Sequence, residues 1–358
     1  MDKSKVLVAM SGGVDSSVTA ALIKQMGYSA IGVTFQPYTS DKPHCHCYSE
    51  YDAKNICDKL GIEHHYVDYT DIFKREIIDY FVDEYLQGRT PNPCTKCNPL
   101  IKFGKLLELA DKLDAYWIAT GHYVNSRYDE QLARHLIYRS ENKSKDQSYV
   151  LWGLKEHQIS RTLFPIGNMN KDQTRQIAKE LGFEIHNKME SQDVCFIPAN
   201  DYKDFIIEEK KEFLETIPEG YIVFNGKIVG KHKGYPFYTI GQRHGLGISH
   251  SEPLYVKKII PETNTIEVGT RLDINSKGLI ANNINLIKYD KIETPTKFFV
   301  KIRYNDKGKD AYCYTDENNK LIVEFIEPRD SIAPGQSVVL YEGEDLVGGG
   351  IIEKAINE

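Results

Sequence analysis

The first third of the chain alternates short apolar runs with longer stretches whose apolar residues recur every three to four positions. Strands are predicted over residues 6–10, 30–35, 65–67 and 116–119, and helices over 15–26, 50–60, 72–86 and 102–113, with Gly88 stopping the third helix. This alternation predicts an α/β fold, a doubly wound parallel sheet that binds ligands beyond the carboxyl ends of its strands. Residues 123–139 suggest a hairpin excursion, Asn170 an N-cap for a helix ending before Gly182, and residues 201–214 a further helix. Beyond Pro218 the texture changes. Short β-prone runs at 221–224, 254–260, 265–268, 297–302, 321–325 and 337–341 are separated by Gly, Asn, Asp and Pro, a spacing that favours small β domains or barrels. Two boundaries are expected, dividing the chain into 1–208, 209–278 and 279–358.

A length of 358 residues suits two or three such domains, at roughly 150 residues each. Hydrophobic content of 41% and charged content of 27% are ordinary for a globular protein. No apolar run approaches the roughly 18 residues that span a bilayer. Residues 1–5 lead into the first strand without a signal-peptide region, so no membrane association and a cytoplasmic location are expected. The net charge of −6 argues against a nonspecific nucleic-acid coat. It leaves open a specific RNA substrate, which needs only local positive surface. Seven cysteines without export features point to reduced, catalytic or metal-bound thiols rather than structural disulfides.

The sharpest chemical signal is Ser11-Gly12-Gly13-Val14-Asp15-Ser16, between the first strand and the first helix. Two glycines let the backbone approach an anion, and the helix start favours negative charge there. The lysine of G-x-x-x-x-G-K-[ST] is missing, so this is not the common P-loop. The SGGxDS form resembles the pyrophosphate loop of the N-type ATP pyrophosphatases, which implies cleavage of ATP between its α- and β-phosphates to adenylate an oxygen. Thr120-Gly121-His122 follows another predicted strand end.

Arg89-Thr90-Pro91-Asn92-Pro93-Cys94-Thr95-Lys96-Cys97-Asn98 holds a C-x-x-C in a stretch whose prolines suggest a rigid loop that excludes helix. Far along the chain, residues 191–197 contain a single cysteine, Cys195. Taken separately, a lone cysteine is usually a small buried hydrophobe, and a C-x-x-C is as often half a zinc site as a redox pair. His44-Cys45-His46-Cys47 offers four soft ligands in a row. Consecutive residues do not readily wrap a tetrahedral ion, so an exposed loop near the nucleotide is expected there. Cys57 and Cys313 read as packing residues.

Seven segments together carry a specific resemblance: SGGVDS at 11–16, RTPNPxxxCN at 89–98, ATGHY at 119–123, KDQSY at 145–149, SQDVCFI at 191–197, YTIGQRHGLGI at 238–248 and APGQ at 333–336. They span nearly the whole chain, which resembles the tRNA-specific 2-thiouridylase (MnmA) family. The resemblance implies sulfur transfer to C2 of the wobble uridine of tRNA, with ATP consumed to AMP and pyrophosphate and Mg2+ as the accompanying cofactor. It also implies an α/β pyrophosphatase domain, a small central domain and a carboxy-terminal β-barrel.

Uridine C2 holds its oxygen too tightly for direct displacement, so adenylation must first make that oxygen a leaving group, and covalent catalysis then splits the hard step. By resemblance Cys195 carries a persulfide and Cys97 is its partner nucleophile, the two closing a disulfide as sulfur leaves. The same resemblance implies a cysteine desulfurase or sulfur-relay protein as the sulfur donor. A thiol of ordinary pKa is only a few per cent ionised at neutral pH, so Lys96 or a helix terminus is expected to depress one of these values.

The family commonly has aspartate where this chain has Cys94. That departure keeps a second mechanism open, in which Cys94, Cys97 and Cys195 hold a [4Fe-4S] cluster, as in related RNA thiolases. By the same resemblance Ala9, Met10, Ser11, Gly12, Gly13, Val14, Asp15, Ser16 and Gly121 surround ATP. Phe35 contacts adenine or belongs to the core. Asn92, Pro93 and Cys94 border the flipped uridine, and Lys145, Asp146, Gln147, Arg303 and Tyr304 contact tRNA. Two other classes compete. An amide-forming adenylating synthetase would share the loop but would not need Cys97 and Cys195. A metal-stapled RNA-binding protein would leave residues 11–16 unexplained.

Overall fold

Val6, Leu7 and Val8 are completely buried in β1 (Asp2–Ala9), because β1 is the central strand of a sheet covered on both faces. The computed structural model describes residues 1–37, 50–187, 194–197 and 201–357. They form two compact units, the first built from Met1–Ile77, Cys94–Asn200 and Glu344–Val347, the second from Ile78–Pro93, Asp201–Gly343 and Gly348–Glu358.

In the first unit β2 (Ser29–Gln36), β3 (Glu63–Asp68) and β4 (Ala115–Ala119) join β1, while β5 (Val124–Asp129) and β6 (Arg134–Arg139) form the expected hairpin. With β7 (Thr162–Leu163) the parallel sheet runs β3-β2-β1-β4-β7. The chain winds outward from β1 through β2 and β3, then returns to add β4 on the other side. The doubly wound expectation therefore holds, and the order reverses between the carboxyl ends of β1 and β4, where such sheets open a crevice. β7 has two residues, too few to leave a pattern in the sequence. The expected helices over 15–26 and 50–60 appear as Val14–Gln25 and Glu50–Leu60. Between Thr70 and Leu86 the helical run widens to π spacing over Lys74–Asp79.

The C-x-x-C segment departs from expectation. It is not a loop but the first turn, Pro93–Cys97, of a helical run that continues as a π-helical segment, Asn98–Lys105, and an α-helix, Leu106–Lys112. Pro93 stands in the opening turn, where a missing N–H costs nothing. Pro99 would break a regular helix, and the π spacing absorbs it. The Pro99 carbonyl accepts a 2.8 Å hydrogen bond from Gln158 Nε2, and a Cβ at Gly104 would stand 2.7 Å from that oxygen.

In the second unit the helix expected over 201–214 is two, Tyr202–Glu209 and Lys211–Glu215, broken at Lys210. β8 (Gly220–Phe224), β9 (Lys227–His232), β10 (Tyr255–Ile260) and β11 (Thr265–Gly269) make a sheet ordered β10-β11-β8-β9, with Ile222, Val256 and Ile266 in its core. A six-stranded barrel follows: β12 (Asn275–Leu286), β13 (Thr296–Lys301), β14 (Lys309–Thr315), β15 (Leu321–Asp330), β16 (Ser337–Glu342) and β17 (Asp345–Ile356). The order β12-β15-β14-β13-β16-β17 closes through antiparallel pairing of β12 with β17, which leaves no free edge. β12 is a single strand through residues 278 and 279, where the last domain was expected to begin. No helix among the described residues is long and apolar enough to cross a membrane.

Candidate active site

At the carboxyl end of β1 the chain turns through Gly12, whose φ of 73° lies in the left-handed region that glycine tolerates. The turn folds its hydroxyls inward. Ser11 N–H donates to Ser16 Oγ at 3.2 Å and Gly13 N–H to Ser11 Oγ at 3.3 Å, while Ser16 and Ser17 hydroxyls donate to the Gly13 carbonyl at 3.1 and 2.9 Å. The helix then starts at Val14 with its amides directed at the turn, an arrangement that suits phosphate. Met10 and Val14 side chains are buried, so they can offer a ligand only backbone. Phe35 is buried at the end of β2 against Tyr69, ring centroids 5.1 Å apart.

Gly121 faces this loop. A Cβ there would stand 3.0 Å from both Asp15 C and Ser16 N, so the turn after β4 lies directly against the phosphate turn. Asp15 is held from two other directions. Lys171 Nζ lies 2.9 Å from each carboxylate oxygen, and the Tyr123 hydroxyl donates to Asp15 Oδ1 at 2.6 Å. Lys171 was not singled out in the sequence, yet it brings to this loop the cation that the motif lacks. Its position follows from the expected cap: Asn170 Oδ1 accepts from Gln173 N at 2.9 Å and Gln173 Oε1 from Asn170 N at 2.7 Å, which sets Lys171 at the first helical position.

Three thiols share the field of one cation, the Lys102 ammonium. Cys97 is buried and Cys94 and Cys195 are half-buried, and none of the three is in a disulfide. Cys195 precedes two buried anchors, Phe196 and Ile197, and the Phe196 ring meets Phe73 edge-on at 5.7 Å. Burial pushes the Cys195 thiol up to about 12, and it also raises Cys94 and Cys97. The Lys102 ammonium opposes the rise at each of the three, while Cys195 and Cys94 add to it at Cys97. The expected depression by Lys96 or a helix terminus is therefore overturned. Lys96 instead pairs with Glu76 at 3.6 Å, and desolvation outweighs the cation that does face the sulfurs, Lys102. His122 lies in the same field. Its Nδ1 is 2.9 Å from Thr120 Oγ1, and burial, aided by Lys102, lowers its pKa to about 3, so the ring is neutral.

One turn, residues 120–122, thus presents Gly121 to the phosphate loop and His122 to the Lys102 field that covers Cys94, Cys97 and Cys195. No three His, Cys, Asp or Glu side chains among the described residues are grouped to hold a metal ion. Cys57 and Cys313 are completely buried, as packing residues should be. His44 to Cys47 and Ser191 to Asp193 fall outside the described residues.

Asp146 and Gln147, expected at RNA, have partners within the chain. Asp146 is 8% exposed and accepts from Ser140 N at 3.1 Å and Ser148 Oγ at 2.8 Å. Gln147 Oε1 accepts from Tyr123 N at 2.9 Å and Gln147 N donates to Tyr123 O at 3.1 Å. Lys145 stays half-exposed. In the barrel, Arg303 and Tyr304 are exposed on a loop held by Asp306, which accepts from Ile302 N at 2.9 Å and Gly308 N at 3.0 Å and pairs with Arg329. The segment leading to Asn92 and Pro93 is anchored in the second unit. Thr90 N donates to Pro334 O at 2.8 Å, and Gln336 Nε2 donates to Thr90 O at 3.0 Å and Pro91 O at 3.3 Å.

A sheet wound outward from β1, with a lysine-free phosphate turn at the point of reversal, defines a PP-loop ATP-utilising domain. Family models described as tRNA methyl transferase HUP domain, tRNA methyl transferase PRC-barrel domain and Aminomethyltransferase beta-barrel domain match residues 4–199, 208–270 and 276–352. The tRNA-specific 2-thiouridylase MnmA 1 of Caldanaerobacter subterraneus subsp. tengcongensis is 46% identical over 361 residues, 99% of each chain. The tRNA-specific 2-thiouridylase MnmA of Clostridioides difficile is 43% identical over 359 residues, 98% of this chain and 99% of that one. The chain belongs to the tRNA-specific 2-thiouridylase MnmA family.

Proposed function

We propose that the protein is an ATP-dependent tRNA-uridine 2-sulfurtransferase, the activity for which its relatives are named, and that it acts through a cysteine persulfide on the wobble uridine. ATP lies along the 11–16 turn, its phosphates on the helix start and Lys171. Asp15 and the serine hydroxyls offer the hard oxygens that suit the accompanying Mg2+. The uridine C2 oxygen attacks the α-phosphorus and pyrophosphate leaves. The terminal sulfur of a persulfide on Cys195, loaded by a donor protein, attacks C2 and AMP departs. Cys97 then attacks the Cys195 sulfur, which leaves 2-thiouridine and a Cys97–Cys195 disulfide that a thiol reductant opens for the next round. The 120–122 turn, which touches both the phosphate loop and the thiol surroundings, is the observation that carries this reading. Asn92, Pro93 and Cys94 would border the base, and Lys145, Arg303 and Tyr304 would meet the RNA. A cytoplasmic setting, where tRNA and ATP occur together, fits the same reading.

The test is mass spectrometry of nucleosides from tRNA incubated with the protein, ATP, Mg2+ and a persulfide donor. 2-Thiouridine should appear, and Cys97→Ser and Cys195→Ser should each abolish it. Full activity of the Cys195 variant would overturn the mechanism, and a methylated product formed with S-adenosylmethionine would overturn the sulfur reading. Iron analysis of active protein purified without oxygen separates the persulfide route from a [4Fe-4S] cluster on Cys94, Cys97 and Cys195. Pyrophosphate release that depends on tRNA excludes both an amide-forming synthetase and a simple binding protein.

A further inference from the structure

Tyr123 is the residue at which the phosphate loop and the 145–147 turn meet. Its side chain is 3% exposed, and its hydroxyl donates to Asp15 Oδ1 at 2.6 Å while lying 3.1 Å from Thr174 Oγ1. Its main chain is clamped at two points by one residue, with Tyr123 N donating to Gln147 Oε1 at 2.9 Å and Gln147 N donating to Tyr123 O at 3.1 Å. The neighbouring Asp146 fixes the turn in its own right, through Ser140 N and the Ser148 hydroxyl. The hydroxyl bond to a carboxylate belongs to the charge-assisted class, roughly twice as strong as a neutral one.

We infer that Tyr123 is a positioning residue through which RNA contact at the 145–147 turn sets the orientation of Asp15, so that ATP cleavage responds to the RNA acceptor. The inference rests on the reading above, in which that turn meets RNA and the 11–16 loop meets ATP. A phenol ring buried in a close-packed core cannot swing independently of its own backbone. When Gln147 shifts, the Tyr123 backbone shifts with it, and the hydroxyl carries the displacement to Asp15. With the hydroxyl removed, Asp15 keeps Lys171 but loses its link to the turn. Such a link lets the enzyme withhold ATP cleavage until the base to be adenylated has arrived.

The experiment is a double-mutant cycle on pyrophosphate release, measured with and without saturating tRNA for wild type, Tyr123→Phe, Gln147→Ala and the double variant. The wild type should be stimulated by tRNA, each single variant should lose about tenfold of that stimulation, and the double variant should lose no more than either. Dissociation constants for tRNA, measured alongside, should change by less than about twofold for Tyr123→Phe, an outcome that a merely disordered fold would not give. Unchanged stimulation in Tyr123→Phe, or losses that multiply in the double variant, would overturn the inference and leave the sulfurtransferase reading intact. Absence of any tRNA stimulation in the wild type would overturn both. Should Tyr123→Phe not fold, Gln147→Ala decides alone: full stimulation in that variant overturns the link, and loss supports it.

Discussion

Lys171 places its ammonium 2.9 Å from both carboxylate oxygens of Asp15, although the two residues open different helices. The lysine side chain is 12% exposed and the Asp15 side chain 30%, so the pair is only partly screened by solvent and salt. A cation so placed compensates for the missing lysine of the motif and can pass from the carboxylate to the phosphates of an arriving nucleotide. Lys171→Met should lower kcat/KM for ATP-dependent pyrophosphate release by about tenfold to a hundredfold, as expected for a hydrogen bond to a charged group worth about 1.5–3 kcal/mol. Lys171→Arg, which keeps the charge, should recover much of the loss. Wild-type kinetics in the methionine variant would remove Lys171 from the nucleotide site.

The raised thiol pKa values predict how the cysteines titrate. Burial lifts Cys195 to about 12 and raises Cys97 as well, so both are neutral thiols at pH 7. Alkylation of Cys195 by iodoacetamide should accelerate about tenfold per pH unit from pH 7 to pH 10 without levelling, whereas an ordinary cysteine levels near its pKa of about 8.5. Lys102→Met removes the opposing cation and should slow alkylation further. Stability follows the same sign. The folded-state pKa lies above the unfolded one, so the contribution is complete below pH of about 8.5 and is lost as pH climbs toward 12. Melting temperature should therefore fall above pH of about 9. Levelling of the alkylation rate near pH 7 would show an activated thiolate and contradict this account.

How much of this was legible in the sequence depended on whether a signal was local. The strand, glycine turn and helix at 6–26 carry their periodicity and their motif in one stretch, and the Asn170 cap reads directly from residue types. Pro91 and Pro93 misled, because prolines argue against a helix, whereas Pro91 lies before the helix and Pro93 opens it, where a missing N–H costs nothing. Lys171 and Tyr123 act on Asp15 across long separations, a relationship that no window of sequence contains. The Lys102 field on the thiols arises only when the helical run has formed. In the barrel, β12 and β17 mix glycine, asparagine and charged residues, and their pairing with each other, not their composition, makes them strands.

Asp306 and Arg329 pair in the barrel with side chains 2% and 9% exposed, beneath the loop that carries Arg303 and Tyr304. Asp306 also accepts the amides of Ile302 and Gly308, so a single carboxylate closes the loop. Asp306→Ala leaves a buried guanidinium unpaired and should cost about 3–5 kcal/mol, visible as an early thermal transition. Asp306→Asn keeps an acceptor and should cost less. At temperatures where the alanine variant remains folded, its tRNA affinity should drop by a factor close to that of Arg303→Ala, since the loop loses its shape. Undiminished affinity would show that these two exposed side chains do not bind RNA.

Gly335 belongs to the APGQ segment, whose purpose was not apparent from its residues. Its φ of 92° lies where side chains rarely go, and a Cβ would stand 3.0 Å from Thr90 N, Thr90 C and Glu84 Oε2. Thr90 N donates to the adjacent Pro334 carbonyl at 2.8 Å, and Gln336 Nε2 reaches the Thr90 and Pro91 carbonyls. The segment that leads to Asn92 and Pro93 is thus held to the barrel by backbone contact as well as by a side-chain fork. Gly335→Ala must either strain the barrel turn or displace Thr90, at a cost of about 1–3 kcal/mol. If the displacement moves residues that border the target base, single-turnover thiolation should slow at least about tenfold, the factor that one pKa unit's worth of free energy provides. ATP binding should be unaffected, because the 11–16 turn makes no use of this contact. Gln336→Ala, which removes two hydrogen bonds and adds no bulk, should give a smaller loss in the same direction. Equal slowing of ATP binding and thiolation in both variants would mean a general loss of folding rather than a displaced base pocket.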